Sequence, residues 1–77
     1  MNPEESGNIL RDILRDSCET PADFLSNKDL HKEYFRKTES ARGFFEGIEY
    51  LLHKKHITQT KDHQNCHQLT KAGRNAD

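Results

Sequence analysis

The sequence predicts a mainly helical domain closed by one small antiparallel β-hairpin. Three observations carry that expectation. Apolar residues recur at helical spacing as far as Leu52. Cap signals at Asn2, Thr20 and Thr38 divide that stretch into three parts. After Lys55 the pattern becomes strand-like.

The first helix is expected over about residues 3–18. Asn2 stands at the cap, Pro3 at the first helical position, and Glu4 and Glu5 beside the positive end of the helix dipole. Ile9, Leu10, Ile13 and Leu14 form its apolar stripe, opposite Asp12 and Asp16 with Arg11 and Arg15. Gly7 weakens the first turn by about 1 kcal/mol relative to Ala.

A second helical stretch is expected over about residues 21–37, with Thr20 as cap, Pro21 in the first turn and Asp23 reaching back. Ser26-Asn27-Lys28-Asp29 is a second signal of the same kind, so the stretch is either one kinked helix or two short ones. Phe24, Leu25, Leu30, Tyr34 and Phe35 supply its apolar face.

Thr38 is the expected cap of a third helix, residues 39–55. Ala41, Phe44, Phe45, Ile48, Leu51 and Leu52 make a broad stripe along it. Gly43 and Gly47 fall on one side, four apart, where a close approach by another backbone repays their poor helix propensity. A hairpin over about residues 56–70 follows. Its polar turn is Lys61-Asp62-His63-Gln64, and Ile57 and Leu69 return to the core. Lys71 to Arg74 close the chain in a turn or short helix. Together with Tyr50, these apolar residues make up the candidate core.

Seventy-seven residues allow one domain, 1–77. At 31% apolar content its core is small. A homodimer is an expected way to cover leftover apolar surface. Residues 1–50 carry seven Lys/Arg against eleven Asp/Glu; residues 51–77 carry five against two, with four of the five histidines. The basic last third points mildly to an anionic partner. Cys18 and Cys66 do not make a disulfide framework, and there is neither a secretory leader nor an apolar run of spanning length. A cytoplasmic protein with free thiols, outside the membrane, is expected.

The C-terminal part resembles winged helix-turn-helix domains. The carrying residues are Leu51-Leu52-His53-Lys54-Lys55-His56-Ile57, the end of a recognition-type helix and its turn, and Leu69-Thr70-Lys71-Ala72-Gly73-Arg74, a Leu-Thr-x-x-Gly-Arg segment after the wing. Lys55-His56 stands where the family usually has a glycine. The resemblance implies a winged-helix-like three-helix domain that binds double-stranded DNA, as in a bacterial or phage transcriptional regulator. The recognition helix would enter the major groove and the wing would reach phosphates. The residues it implies for DNA are Arg42, Lys54, Lys55, Lys61, His63, Lys71 and Arg74. Glu39, Glu46 and Glu49 on the same helix repel phosphate. The alternative is therefore a protein-binding or dimerising module that uses Glu46, Glu49 and Tyr50.

Other chemistry is not expected. His53, His56, His63, Cys66 and His67 include a single thiol. His63 stands at the hairpin tip, and strand alternation sends Cys66 and His67 to opposite faces, a poor set for zinc. No oxyanion-hole signature or phosphate loop accompanies the cysteines, so neither enzymatic activity nor a cofactor is expected.

Overall fold

The computed structural model describes residues 2–20, 23–60 and 65–75. Four helices and three short strands follow in the order α1 (Pro3–Ser17), β1 (Leu25–Ser26), α2 (Asn27–Thr38), α3 (Phe44–His53), β2 (Ile57–Gln59), β3 (Cys66–Leu69) and α4 (Lys71–Asn75). The sheet is antiparallel in the order β1-β3-β2, with Leu25 opposite His67 and Ile57 opposite Leu69. This arrangement is mainly helical with a small sheet, and it is compatible with a winged-helix layout.

α1 forms as its sequence predicts. The Asn2 side chain accepts the Glu5 amide at 2.8 Å, and the helix buries Ser6, Gly7, Leu10, Arg11, Ile13 and Leu14. α2 begins later than expected. The Ser26 hydroxyl accepts the Asp29 amide at 3.1 Å, so the second cap signal is the one that starts a helix. Thr20 and Asp23 do bond each other, the Asp23 carboxylate accepting the Thr20 amide at 3.0 Å, but Asp23 and Phe24 are non-helical and lead into β1. Pro21 and Ala22 lie outside the described residues.

The third helix also starts late, at Phe44 instead of residue 39. Thr38 is the last residue of α2 and does not cap α3. Its hydroxyl lies 2.9 Å from the Tyr34 carbonyl and 2.6 Å from that of Ser40 and donates to one of them at a time, a side-chain bond of the kind that competes with helix continuation. Glu39 then turns left-handed (φ 58°), and Gly43 takes φ 85° ahead of α3. Ala41 lies in this connection and is exposed. Gly43 and Gly47 therefore do not share a helix, yet each is held close to α1. A Cβ at Gly47 would meet the Ser6 carbonyl carbon, Ser6 Cβ and Leu10 Cδ1, all at 2.9 Å.

The core lies between α1, α2 and α3 and is closed below by the sheet. Leu10, Ile13, Leu14, Cys18, Leu30, Tyr34, Phe44, Ile48, Leu51, Ile57 and Leu69 form one buried cluster, with Ile9, Leu25 and Tyr50 partly buried against it. The Tyr34 hydroxyl is satisfied inside it, donating to the Arg42 carbonyl at 2.7 Å. Four residues expected in the core are exposed: Phe24, Phe35, Phe45 and Leu52. α2 and α3 each carry more apolar positions than the small core can cover.

β3 is the central strand, and Cys66 and His67, which alternation sends to opposite faces, are both buried. His67 Nε2 pairs with Asn27 Oδ1 at 2.6 Å, tying β3 to the first residue of α2. Both cysteines are free thiols. Among the described residues, no helix is long and apolar enough to cross a membrane.

Candidate interaction surface on the third helix

The exposed side of α3 is fixed by what its other side buries. Phe44, Gly47, Ile48 and Leu51 pack inward, which leaves Phe45, Glu46, Glu49, Leu52 and His53 facing out and Tyr50 half-buried at the edge. Phe45 is 69% exposed and Leu52 37%. Phe45 is nevertheless held in place, because its ring meets Phe44 edge-on at 5.2 Å. Phe44 in turn packs edge-on against Tyr34 and His31. An exposed aromatic ring is thus anchored to the core through its neighbour.

Beside this strip lies a shallow depression of about 410 Å³ lined by Pro3, Glu46, Glu49, Tyr50 and His53. The Lys54 ammonium stands 5.9 Å from the centre of the Tyr50 ring, within cation–π range. No cation comes from α3 itself before His53.

The end of α3 shows why the sequence turns without the customary glycine. His56 N–H donates to the Leu51 carbonyl at 2.9 Å and Lys55 N–H to that of Leu52 at 3.1 Å, the paired bonds of a Schellman motif. Lys55 supplies the left-handed residue, with φ 62°. Its side chain and that of Lys54 are exposed. The Leu-Thr-x-x-Gly-Arg segment closes the same corner. Thr70 Oγ1 donates to the Lys55 carbonyl at 2.6 Å and accepts the Gly73 amide at 3.1 Å. Gly73 presses so close to the His56 carbonyl that a Cβ would lie 2.0 Å from its oxygen.

The basic residues named from sequence are distributed unevenly around this corner. Lys54, Lys55 and Lys71 lie together, joined through the Thr70–Lys55 bond, and all three are exposed. Arg42 is exposed before the start of α3, roughly 15 Å away at 1.5 Å per residue. Arg74 turns the other way and donates to the Thr20 carbonyl. Lys61 and His63 lie outside the described residues. Glu46 and Glu49 separate Arg42 from the lysines.

His56 faces inward at the same corner, where its Nδ1 accepts from Arg11 Nη1 at 3.3 Å. Burial first, then the charges of Arg11, Lys54 and Arg15, hold its pKa below the usual imidazole value. Among the described residues no group of three His, Cys, Asp or Glu side chains could hold a metal ion. Sequence reasoning had placed Phe45 and Leu52 in the core and had read Pro3 only as a helix start; no signal in a single broad stripe marks which of its edges stays uncovered. No family model, curated protein or solved structure matches the chain.

Proposed function

We propose that this chain is a winged-helix module that binds another protein through the exposed side of α3. The carrying observation is the composition of that side. Phe45 and Leu52 are apolar and exposed, Glu46 and Glu49 are acidic, and α3 itself carries no Lys or Arg. Major-groove docking favours cations beside phosphates, whereas apolar and aromatic side chains at the centre of a patch, with charges at its rim, suit a protein contact. The order α1-β1-α2-α3-β2-β3 and the sheet order β1-β3-β2 support the winged-helix part of the reading.

Lys54, Lys55 and Lys71 favour a second reading, in which the base of the hairpin lies on duplex DNA. None of the three is in an ion pair with a described residue. This is the reading under which the protein is a DNA-binding regulator, with Arg42, Lys61, His63 and Arg74 as further contacts.

The two readings separate in one pair of assays. Titration of a labelled random-sequence duplex at low salt is expected to show no binding. Capture of a protein from an extract of the source cells is expected to be lost in Phe45→Ser and kept in Lys54→Glu. Duplex binding that falls steeply with salt and is lost in Lys54→Glu, with Phe45→Ser unaffected, would replace the protein reading with the DNA one.

A further inference from the structure

One side-chain pair, His67 with Asn27, joins β3 to the start of α2. Asn27 Oδ1 can only accept, so the proton in that 2.6 Å bond sits on His67 Nε2. Nδ1 is then the bare nitrogen. It is buried, and no described residue gives it a hydrogen-bond partner. The residue as a whole is 1% exposed. A proton arriving at Nδ1 therefore puts a charge and an unsatisfied N–H into a site closed to water, which is costly unless the ring reaches solvent.

The neighbouring elements do not offset that charge. Across the ladder His67 stands opposite Leu25 of β1 and Gln59 of β2, both uncharged. The adjacent thiol, Cys66, lies on the other face of the strand. Burial holds the His67 pKa below the usual value, and among the described residues no charged side chain of α1, α2, α4, β1 or β2 contributes.

The segment bonded to His67 is lightly held. β1 meets β3 at two residue pairs, and the Asn27 amide adds one bond to the Asn65 carbonyl. Residues 25–29 are half-buried or exposed, whereas Leu30 and Tyr34, the buried anchors of α2, lie beyond the first turn. Those anchors, and the packing of α1 on α3, do not depend on the β1 ladder.

We propose that His67 and Asn27 form an acid-sensitive switch, in which protonation of His67 releases β1 and the first turn of α2 from β3 while α1 and α3 stay packed. Once released, the ring takes up its proton at about the ordinary value of 6.5, and the closed form resists it. Release therefore grows as pH falls below that value.

Cys66 reports the opening, because it is buried and pairs with Ser26 of β1. A dithiodipyridine reagent, which labels thiols in mild acid, is applied to the intact chain. Labelling at Cys66 is followed by peptide mass spectrometry and divided at each pH by the rate for the chain unfolded in urea. The normalised rate is expected to rise up to about tenfold between about pH 7.5 and 5.5. His67→Gln, which keeps a donor for Asn27 but does not titrate, is expected to flatten the profile. Asn27→Asp is expected to flatten it as well, because a carboxylate stabilises the imidazolium inside the closed form. Gly47→Ala, which loosens α3 on α1, is expected to leave the Cys66 rate within about twofold of wild type if the opening is local. A wild-type rate that does not change with pH overturns the proposal, as does a rise that persists in His67→Gln. Should His67→Gln fail to fold by circular dichroism, a rise that persists in Asn27→Asp overturns it instead. A Cys66 rate that climbs in Gly47→Ala by the factor of the global destabilisation also overturns it, since Cys66 would then be reached by unfolding of the whole domain.

Discussion

Gly47→Ala tests the packing of α3 on α1 at its tightest point. The added methyl would meet Ser6 carbonyl carbon, Ser6 Cβ and Leu10 Cδ1, each at 2.9 Å. Two of those atoms belong to the backbone or Cβ of α1 and cannot rotate away. The third is on a fully buried side chain. α3 must therefore move off α1, and overpacking of this kind costs about 1–3 kcal/mol. Alanine in a helix interior recovers about 1 kcal/mol relative to glycine. Because the obstacles are rigid, the cost belongs near the top of its range, and the net effect is a loss of about 1–2 kcal/mol. For a domain of this size that lowers Tm by about 5–15 °C. Gly7→Ala is the control on the facing helix. Its nearest obstacle is Tyr50 Cδ1 at 2.6 Å, on a half-buried ring at the surface that can swing outward. That variant is expected within about 1 kcal/mol of wild type. Thermal melts followed by circular dichroism read both. A Gly47→Ala protein as stable as wild type, or more so, would refute the close approach of the two helices.

Thr70→Val is expected to cost about 1–2 kcal/mol in urea denaturation, since it removes both the bond to the Lys55 carbonyl and the acceptor for the Gly73 amide. His67 gives a pH dependence. Burial holds its folded pKa below the ordinary value of 6.5, so the unfolded chain takes up the proton more readily. The stability it contributes is complete above about pH 6.5 and is lost as pH falls through the folded value. His56, lowered by burial and by Arg11, Lys54 and Arg15, acts in the same direction. Urea midpoints between pH 5 and 8 (about that range suffices) should decline on the acid side, and less steeply in His67→Gln. Cys18 is fully covered, and burial together with Asp23 raises its pKa. Ellman's reagent should therefore react slowly with the native protein and find both thiols once it is unfolded without reductant; fewer than two would contradict the free state of Cys18 and Cys66.

What was legible in the sequence was whatever depends on local chemistry. Asn2 and Pro3 start α1 as read, and the change of period after Lys55 places the hairpin, whose described strands fall inside residues 56–70. Thr70 and Gly73 close the corner after β3, and the contacts of Gly73 with His56 show why a glycine stands there. Two kinds of feature were not legible. The connection at 39–43 depends on which bonds the Thr38 hydroxyl makes, and threonine is equally at home as an N-cap or at a helix end. β1 is only two residues long and exists because β3 offers it an edge, which is a tertiary fact. The same limit applies to the surface. Glu46 and Glu49 were read as exposed and are so, but Phe45 and Leu52 were assigned inward because periodicity defines a stripe without saying how much of it neighbouring helices cover.

The central strand has a consequence for how the chain assembles. β3 meets β2 through a short hairpin, whereas its contact with β1 closes a loop that contains all of α2, α3 and β2. Closing the larger loop costs more chain entropy, and β1 returns only two residue pairs for it. The hairpin and the α1–α3 contact can therefore form early, while β1 docks onto an edge already made. Its attachment is reinforced from outside the ladder, by the Asn27 amide on the Asn65 carbonyl at 2.6 Å and by Asn27 Oδ1 on His67. Asn27 thus acts as a latch, joining the start of α2 to β3 where the ladder itself contributes little.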